Sequence, residues 1–520
     1  MTRPKKSLMF IRDYTEQNRD RFFLWHSGEL SEVSAEQLIK EESEIICHDY
    51  WLIAPTILKL TKQLPKLITD IDELRISTSG DRKDRESREK IDISKFLNKF
   101  TDDDTVKRYK DIFNKKSPIA NDVLMKIGEA LLNLSTQVEE EAVAAGEWER
   151  FTLIERPVTD YLIRSTADGI AVDTEKLRRH KQKIDFDYYM ALKNFSARYD
   201  MPLEIPSDED IINYLEPKGF DFSGVNVDYV LKFVPMQDNF SEDLINLMKT
   251  ANSRKVLNSI PLSQRRIFPI VDNFGSITSR IYFKDPSLQN LAKYHRDILI
   301  PDEGKAFSYI DYEQYEAGIM AALSGDPTLT ELYASGDLYE KASEEMFGDQ
   351  TKRKQAKRLF LSYAYGMKRK GLYDAAAGYG AERQAAKNFF NQFKVFEEWK
   401  NKIHTEFKDS GRISTCLGNH MKRSRSGSLT EQEKRSAVSQ LVQGTASLIF
   451  KKALLRLSHE AMVELKVPMH DAVLFQHPET FDVTIVSEIF KSTMSEHFEN
   501  RITGKASLSQ FVATDPQRSI

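Results

Sequence analysis

Read as a pattern of apolar and polar positions, the chain is α-rich with a small antiparallel sheet. Residues 7–11 and 44–47 are short apolar runs that read as strands. Over 77–90 the chain turns to mixed charge with almost no apolar residue, which predicts a loop or a disordered insertion. Thr101-Asp102-Asp103-Asp104 marks a helix start or a further loop, and 122–147 is helical in pattern. A first domain boundary follows near residue 150. A long helix is predicted over 174–199, with Thr174 as its cap before Glu175, and 207–255 alternates short helices with polar loops. A strand over 266–271 precedes the turn Asn273-Phe274-Gly275-Ser276. Another strand over 306–310 runs into Asp311. Helical sequence then continues to Leu323, where Ser324-Gly325-Asp326-Pro327 stops it. Long helical patterns dominate 351–408 and 431–465, and 467–475 reads as two short strands meeting near His470-Asp471. No internal repeat is found.

Length adds that 520 residues exceed one core, so two or three domains are expected. The formal net charge of -4 names no partner, but local charge does more. From Thr351 to Lys370 there are eight Lys or Arg and no Asp or Glu. Such a stripe suits a polyanion, or is a solvated helix face. The two cysteines, Cys47 and Cys416, sit in no metal-ligand pattern, which argues against a disulfide framework or a zinc site. No apolar run is long enough to span a bilayer, and the N-terminus lacks a signal-peptide core, so no membrane partner and a cytoplasmic location are expected.

The candidate chemistry begins with Asp311 and Asp471, each at an apolar, strand-like run. Two acids held close repel unless a cation lies between them, and magnesium takes such hard oxygen ligands. Paired ions can activate an attacking hydroxyl and stabilise a leaving oxygen. The alternative is two unrelated acids at strand ends. Between them, Arg353, Lys357, Leu361 and Tyr365 are spaced by four. On a helix they form one stripe, drifting by about 40° per step. The cations suit a triphosphate and the other two a base and sugar; an amphipathic core helix with snorkelling cations is the other reading.

These motifs, taken in order, resemble those of family A DNA polymerases. Asp311-Tyr312-Glu313-Gln314-Tyr315-Glu316 resembles the first, Arg353, Lys357, Tyr365 and Gly366 match the second, and His470-Asp471 resembles the last. Thr278-Ser279-Arg280, Asp285-Pro286-Ser287-Leu288-Gln289-Asn290-Leu291 and Val442-Gln443-Gly444-Thr445-Ala446 look like further family segments, so the likeness covers roughly 155–480. It implies an α+β right-hand polymerase, a palm with a small antiparallel sheet and helical fingers and thumb, preceded by an α/β exonuclease-like domain over 1–150. The polymerase domain would span 151–520, with a thumb about 180–255, palm about 256–335 and 436–520, and fingers about 336–435. Asp311 and Asp471, with the Tyr312 carbonyl, would hold two magnesium ions. Arg353 and Lys357 would bind the dNTP triphosphate, Lys357 also protonating pyrophosphate. Glu316 would be the steric gate against a ribose 2′-OH, and Gln314, Leu361 and Tyr365 would line the dNTP site. Arg280, Gln289, Asn290, Arg435, Gln443 and His470 would contact primer–template. The implied reaction is in-line attack of a primer 3′-OH on the α-phosphate.

The chain also departs from the family pattern. Leu361 replaces an aromatic ring, Ala472 a usual Glu, Ser439 an Asn, Tyr339 a His and Ser362 a frequent Gly. None of these is a metal ligand or a triphosphate cation. In the first 150 residues Phe10-Ile11-Arg12-Asp13-Tyr14-Thr15 and Cys47-His48-Asp49 through Ile53 resemble exonuclease motifs, but expected acids fall on Thr15 and Ile53. Asp72-Glu73-Leu74-Arg75 looks like the strand end that follows, and no third acidic motif is found. A degenerate nuclease fold kept as a structural platform is expected; an active divergent nuclease or an unrelated domain are the alternatives. The divergent motifs and a start without a 5′-nuclease domain point to a bacteriophage or prophage DNA-replication enzyme, a monomer working with accessory proteins. A single-subunit RNA polymerase and a non-catalytic DNA-binding scaffold stay open, with Glu316 against the first and Asp311, Asp471 and Lys357 against the second.

Overall fold

The computed structural model describes residues 3–13, 19–86, 93–220, 222, 227–233 and 238–513. Its N-terminal part is built on a five-stranded mixed sheet. Strands β1 (Lys5–Asp13), β2 (Arg19–His26) and β3 (Glu29–Val33) form an antiparallel meander. Strands β4 (Glu44–Cys47) and β5 (Ile68–Asp70) add parallel to the other edge of β1, giving the order β3-β2-β1-β4-β5. Successive residues of β1 enter different cores: Leu8 and Phe10 one, Met9 and Ile11 the other. A strand covered on both faces needs an unbroken apolar run, which is why 7–11 was legible. The helix Tyr50–Thr61 covers one face and α1 (Asn121–Ala145) the other.

Two expectations for this part are corrected. The stretch over 77–90 is not simply a loop. The helix Ile71–Thr78 runs into it and Arg82–Glu86 is a further short helix, while 87–90 lies outside the described residues. Ser77 and Thr78 satisfy their hydroxyls on the Leu74 carbonyl, both at 2.8 Å, so polar side chains end that helix without breaking it. Asp72-Glu73-Leu74-Arg75 lies inside this helix rather than at a strand end.

In the remainder, α2 (Thr174–Tyr199) is capped by Asp173, not Thr174. The Asp173 carboxylate accepts from the Glu175 and Lys176 amides at 3.1 and 3.0 Å. Helix α3 (Phe240–Ser259) packs beside it, with Arg254 paired to Asp185. The predicted 266–271 strand is two. Arg266–Ile267 pairs with Ile170–Val172, and Ile270–Asp272 pairs with Tyr282–Asp285. Pro269 lies between them and has no amide to continue one ladder.

Next come β6 (Lys305–Tyr312), α4 (Tyr315–Ser324), α5 (Leu338–Phe347) and α6 (Arg353–Ala364). The helical stretch predicted over 351–408 is broken into α6, Arg369–Gly378, Arg383–Asn391 and Lys394–Ser410, with Gly366 and Gly380 in the left-handed region between them. Helix α7 (Glu431–Leu457) stops short of the predicted 465, because Glu464–Met469 is strand β7. Its partner β8 (Ala472–Pro478) and the short β9 (Ala506–Ser509) complete an antiparallel sheet in the order β7-β8-β6-β9. One core joins this sheet to the helices around it, through Ile310, Tyr315, Phe360, Ile449, Val473 and Phe490.

Candidate active site

Sheet register brings the two acids together. Asp311 lies opposite Ala472 in the β6–β8 ladder, and Met469 opposite the same Ala472 in the β7–β8 hairpin. His470 and Asp471 therefore form a two-residue turn, which His470 closes in the left-handed conformation. The Tyr312 amide donates to the Asp471 carbonyl at 3.1 Å, fixing the turn against the end of β6. Burial, then the neighbouring Asp471 carboxylate, push the Asp311 pKa up to about 7. Burial also raises Asp471. Lys293 and Lys357 oppose the rise at Asp311. The Oδ1 atom of Asp311 is buried without a hydrogen-bond partner. Two hard oxygen donors short of positive charge, one of them orphaned, fit a divalent cation.

The stripe on α6 faces this pair. Arg353 donates through Nε and Nη2 to Asp337, at 3.0 and 2.5 Å. Its guanidinium and the Lys357 ammonium both lie over the Tyr339 ring, 5.4 and 5.5 Å from its centroid. Lys357 is exposed and has no ion pair or hydrogen bond among the described residues. Leu361 and Tyr365 continue the stripe, half-buried against the core. Burial, followed by the Glu316 carboxylate, pushes the Tyr365 hydroxyl well above the usual phenol range. Glu316 accepts from Arg280 at 3.0 Å and from Gln443 at 3.4 Å. Arg280, Glu316, Tyr365 and Gln443 are thus one cluster beside the carboxylates.

Other predicted residues are engaged locally. Gln314 caps α4 with a left-handed backbone; its amide donates to the Gly336 carbonyl and accepts from the Leu338 amide, bracing α5. Gln289 accepts from the Phe283 amide and donates to the Phe283 carbonyl, and Asn290 donates to Ser287. Arg435 is exposed, reaching the Glu431 carbonyl at 3.3 Å. His470 has a buried, unpartnered Nδ1 and sets its ring edge on Tyr282; burial, then Arg280, lower its pKa. Tyr312 stacks on Tyr315 at 4.2 Å and donates to the Phe490 carbonyl. Ala472 is fully buried, so no third carboxylate stands there; Glu313 is exposed and its charge adds to the rise at Asp311. Lys293 and Tyr282 were missed, since no periodicity ties them to Asp311 or His470 and only the folded chain does.

At the end of the N-terminal sheet, His48, Asp49 and Asp72 place ligand atoms within 4.8 Å of one another. His48 is already engaged by Asp49 at 3.0 Å and by the Tyr109 hydroxyl at 2.6 Å. Asp13 closes β1, while Tyr14 and Thr15 lie outside the described residues. Ile53, at the position of an expected acid, is buried core. Both cysteines are free thiols, Cys47 buried and Cys416 exposed. Among the described residues no helix is long and apolar enough to cross a membrane.

Comparison with known proteins places this arrangement. The fold is that of a right-hand polymerase: the POL domain of Pol1 from M. smegmatis, solved in complex with DNA primer-template and dNTP, superposes with a TM-score of 0.75. That likeness covers 98% of this chain and 94% of the other at 19% sequence identity. The sequence model of DNA polymerase family A matches residues 242–510, more than half of the chain. The chain belongs to DNA polymerase family A. It is 28% identical to DNA polymerase I of Aquifex aeolicus over 229 residues, 41% of this chain and 38% of that protein. It is 29% identical to thermostable DNA polymerase I of Thermus aquaticus over 226 residues, 39% of this chain and 27% of that protein. The match therefore spans less than half the length of these relatives.

Proposed function

We propose that this protein extends a primer 3′-OH on a DNA template with dNTPs, releasing pyrophosphate. The observation that carries the reading is the Asp311–Asp471 pair at a strand end and a hairpin turn, with an orphaned carboxylate oxygen and the exposed Lys357, unpaired among the described residues, acting on it. Asp311, Asp471 and the Tyr312 carbonyl would hold magnesium, two ions in this reading, supplying charge neutralisation at the reacting phosphate. Lys357 is placed to neutralise the triphosphate and to give a proton to the leaving pyrophosphate. Arg353, oriented by Asp337 through Nε and Nη2, would offer its remaining N–H groups to a phosphate. Glu316, held by Arg280 and Gln443, stands as the gate against a 2′-OH. Arg435, exposed beside the Glu431 carbonyl, would meet primer–template phosphates. His470, Gln289 and Asn290 complete the DNA-facing set in this reading. Catalysis of this kind is mostly positioning and electrostatics.

The deciding experiment is extension of a labelled primer with dNTPs and magnesium, run beside Asp471→Ala. Extension by the parent and none by the variant is expected. DNA binding without extension by the parent would favour a scaffold, and equal use of rNTPs an RNA polymerase. The N-terminal sheet belongs to this reading as a degenerate exonuclease platform, supported by Ile53 filling a place where an acid is expected. Robust magnesium-dependent digestion of single-stranded DNA, lost in Asp13→Ala, would overturn that. The divergent residues Leu361, Ala472 and Tyr339 support a phage replication setting, in the host cytoplasm with accessory proteins.

A further inference from the structure

A buried ionic network joins the N-terminal part to the dNTP site. Arg150 is 1% exposed and donates to Glu147 at 3.0 Å, to Glu155, and to the Ser77 carbonyl at 2.9 Å. Glu147 is fully buried. Its two oxygens accept from the Asn419 and His420 amides at 2.8 and 2.9 Å, and from His420 Nδ1 at 2.5 Å. Burial opposes its charge, but Arg150 and these donors hold its pKa at about 2. Gly418 lets the carboxylate in: a Cβ there would meet Glu147 Oε2 at 2.6 Å. On the far side, Glu155 takes the buried Lys451 at 2.5 Å, and Lys451 also donates to the Asn273 carbonyl.

The turn that Glu147 grips holds the next link. Asn419 is 2% exposed and left-handed. Its amide donates to the Thr278 carbonyl at 3.1 Å and accepts from the Ser279 hydroxyl at 3.0 Å. Its carbonyl accepts from Gln440 of α7 at 2.6 Å. Ser279 is itself left-handed and buried, with its carbonyl bonded by Ser447. The following residue is Arg280, which holds Glu316.

We infer that Glu147 is a positioning residue for nucleotide selection: by fixing Asn419 it clamps Thr278-Ser279 and so aims Arg280 at the Glu316 gate. This rests on the reading of the chain as a DNA polymerase. Without the clamp, Glu316 loses the shorter bond from Arg280 and is left with the longer one from Gln443 and with Tyr365 beside it. In this inference the N-terminal part serves synthesis through the clamp.

The test compares kcat and KM for a dNTP and the matching rNTP in the parent, Glu147→Gln and Asn419→Asp. Aspartate tolerates the left-handed backbone and keeps the acceptor for Ser279, but turns an oxygen toward the Thr278 carbonyl. An unfolded fraction lowers kcat for both substrates alike and leaves their ratio unchanged. A loosened gate lowers the dNTP-over-rNTP ratio of kcat/KM by about tenfold, chiefly through a lowered rNTP KM. Should Glu147→Gln fail to fold, Asn419→Asp decides. A ratio unmoved in a folded Asn419→Asp removes this inference alone. A parent that extends no primer removes the polymerase reading and this inference with it.

Discussion

Replacing Asp311 by Asn should make the metal-free protein more stable while ending synthesis. Asp311 shares a half-buried site with Asp471, and its pKa rises from 3.8 to about 7. The sign follows from proton counting. Between those two values the folded chain keeps a proton that the unfolded chain has released, so stability falls as pH rises through this window. The loss is complete above about pH 7 and absent below about pH 4. At about 1.4 kcal/mol per pKa unit, ionising the site costs the fold up to about 4 kcal/mol at pH 8, and less than half of that at pH 5. Asn fills the same space without charge. The assay is urea unfolding in EDTA at pH 5 and pH 8. The Asp311→Asn midpoint should exceed the parent's at pH 8 and approach it at pH 5. Magnesium should then raise the parent's midpoint at pH 8 and leave the variant nearly unmoved. Equal midpoints at pH 8, or an advantage that grows toward pH 5, would refute the argument that repulsion and burial set the energetics of this pair.

Further outcomes follow from contacts already described. Lys357→Ala removes a cation with no ion pair or hydrogen bond among the described residues, so melting should change little while kcat falls by about 10²–10³-fold. Leu361→Phe restores a ring beside the nucleotide, and rate, error frequency or dideoxynucleotide use should change; all three unchanged in parallel assays would show that this position does not touch the substrate. Gly418→Ala sets a methyl against Glu147 and Gly146 at a positive φ, and should cost about 2 kcal/mol or more in urea unfolding.

What the sequence made legible is what local pattern controls. The run into Asp311 reads as a strand because β6 is a central strand of its sheet, and the His470-Asp471 turn reads because apolar residues flank it on both sides. The Arg353 stripe is legible because a four-residue spacing is a property of the helix itself. Helix lengths were misjudged where tertiary pairing decides: the helical pattern was carried to 465, while pairing with β8 draws the strand back to Glu464. Pairings were hidden for the same reason. Nothing in the spelling of Gln314 or Gln289 says that each spends its amide on a neighbouring backbone. The deepest omission is electrostatic. Arg150, Glu147, Glu155 and Lys451 look like any solvated charges along a helix, and a charged residue is rarely buried unless paired. Their partners are contributed from residues 77, 273, 419 and 420, far away in the chain. An isolated buried charge would cost several kcal/mol, so each member of this network depends on the others being in place. That mutual dependence ties the first 150 residues to the candidate active site, and pairwise spacing along the chain cannot encode it.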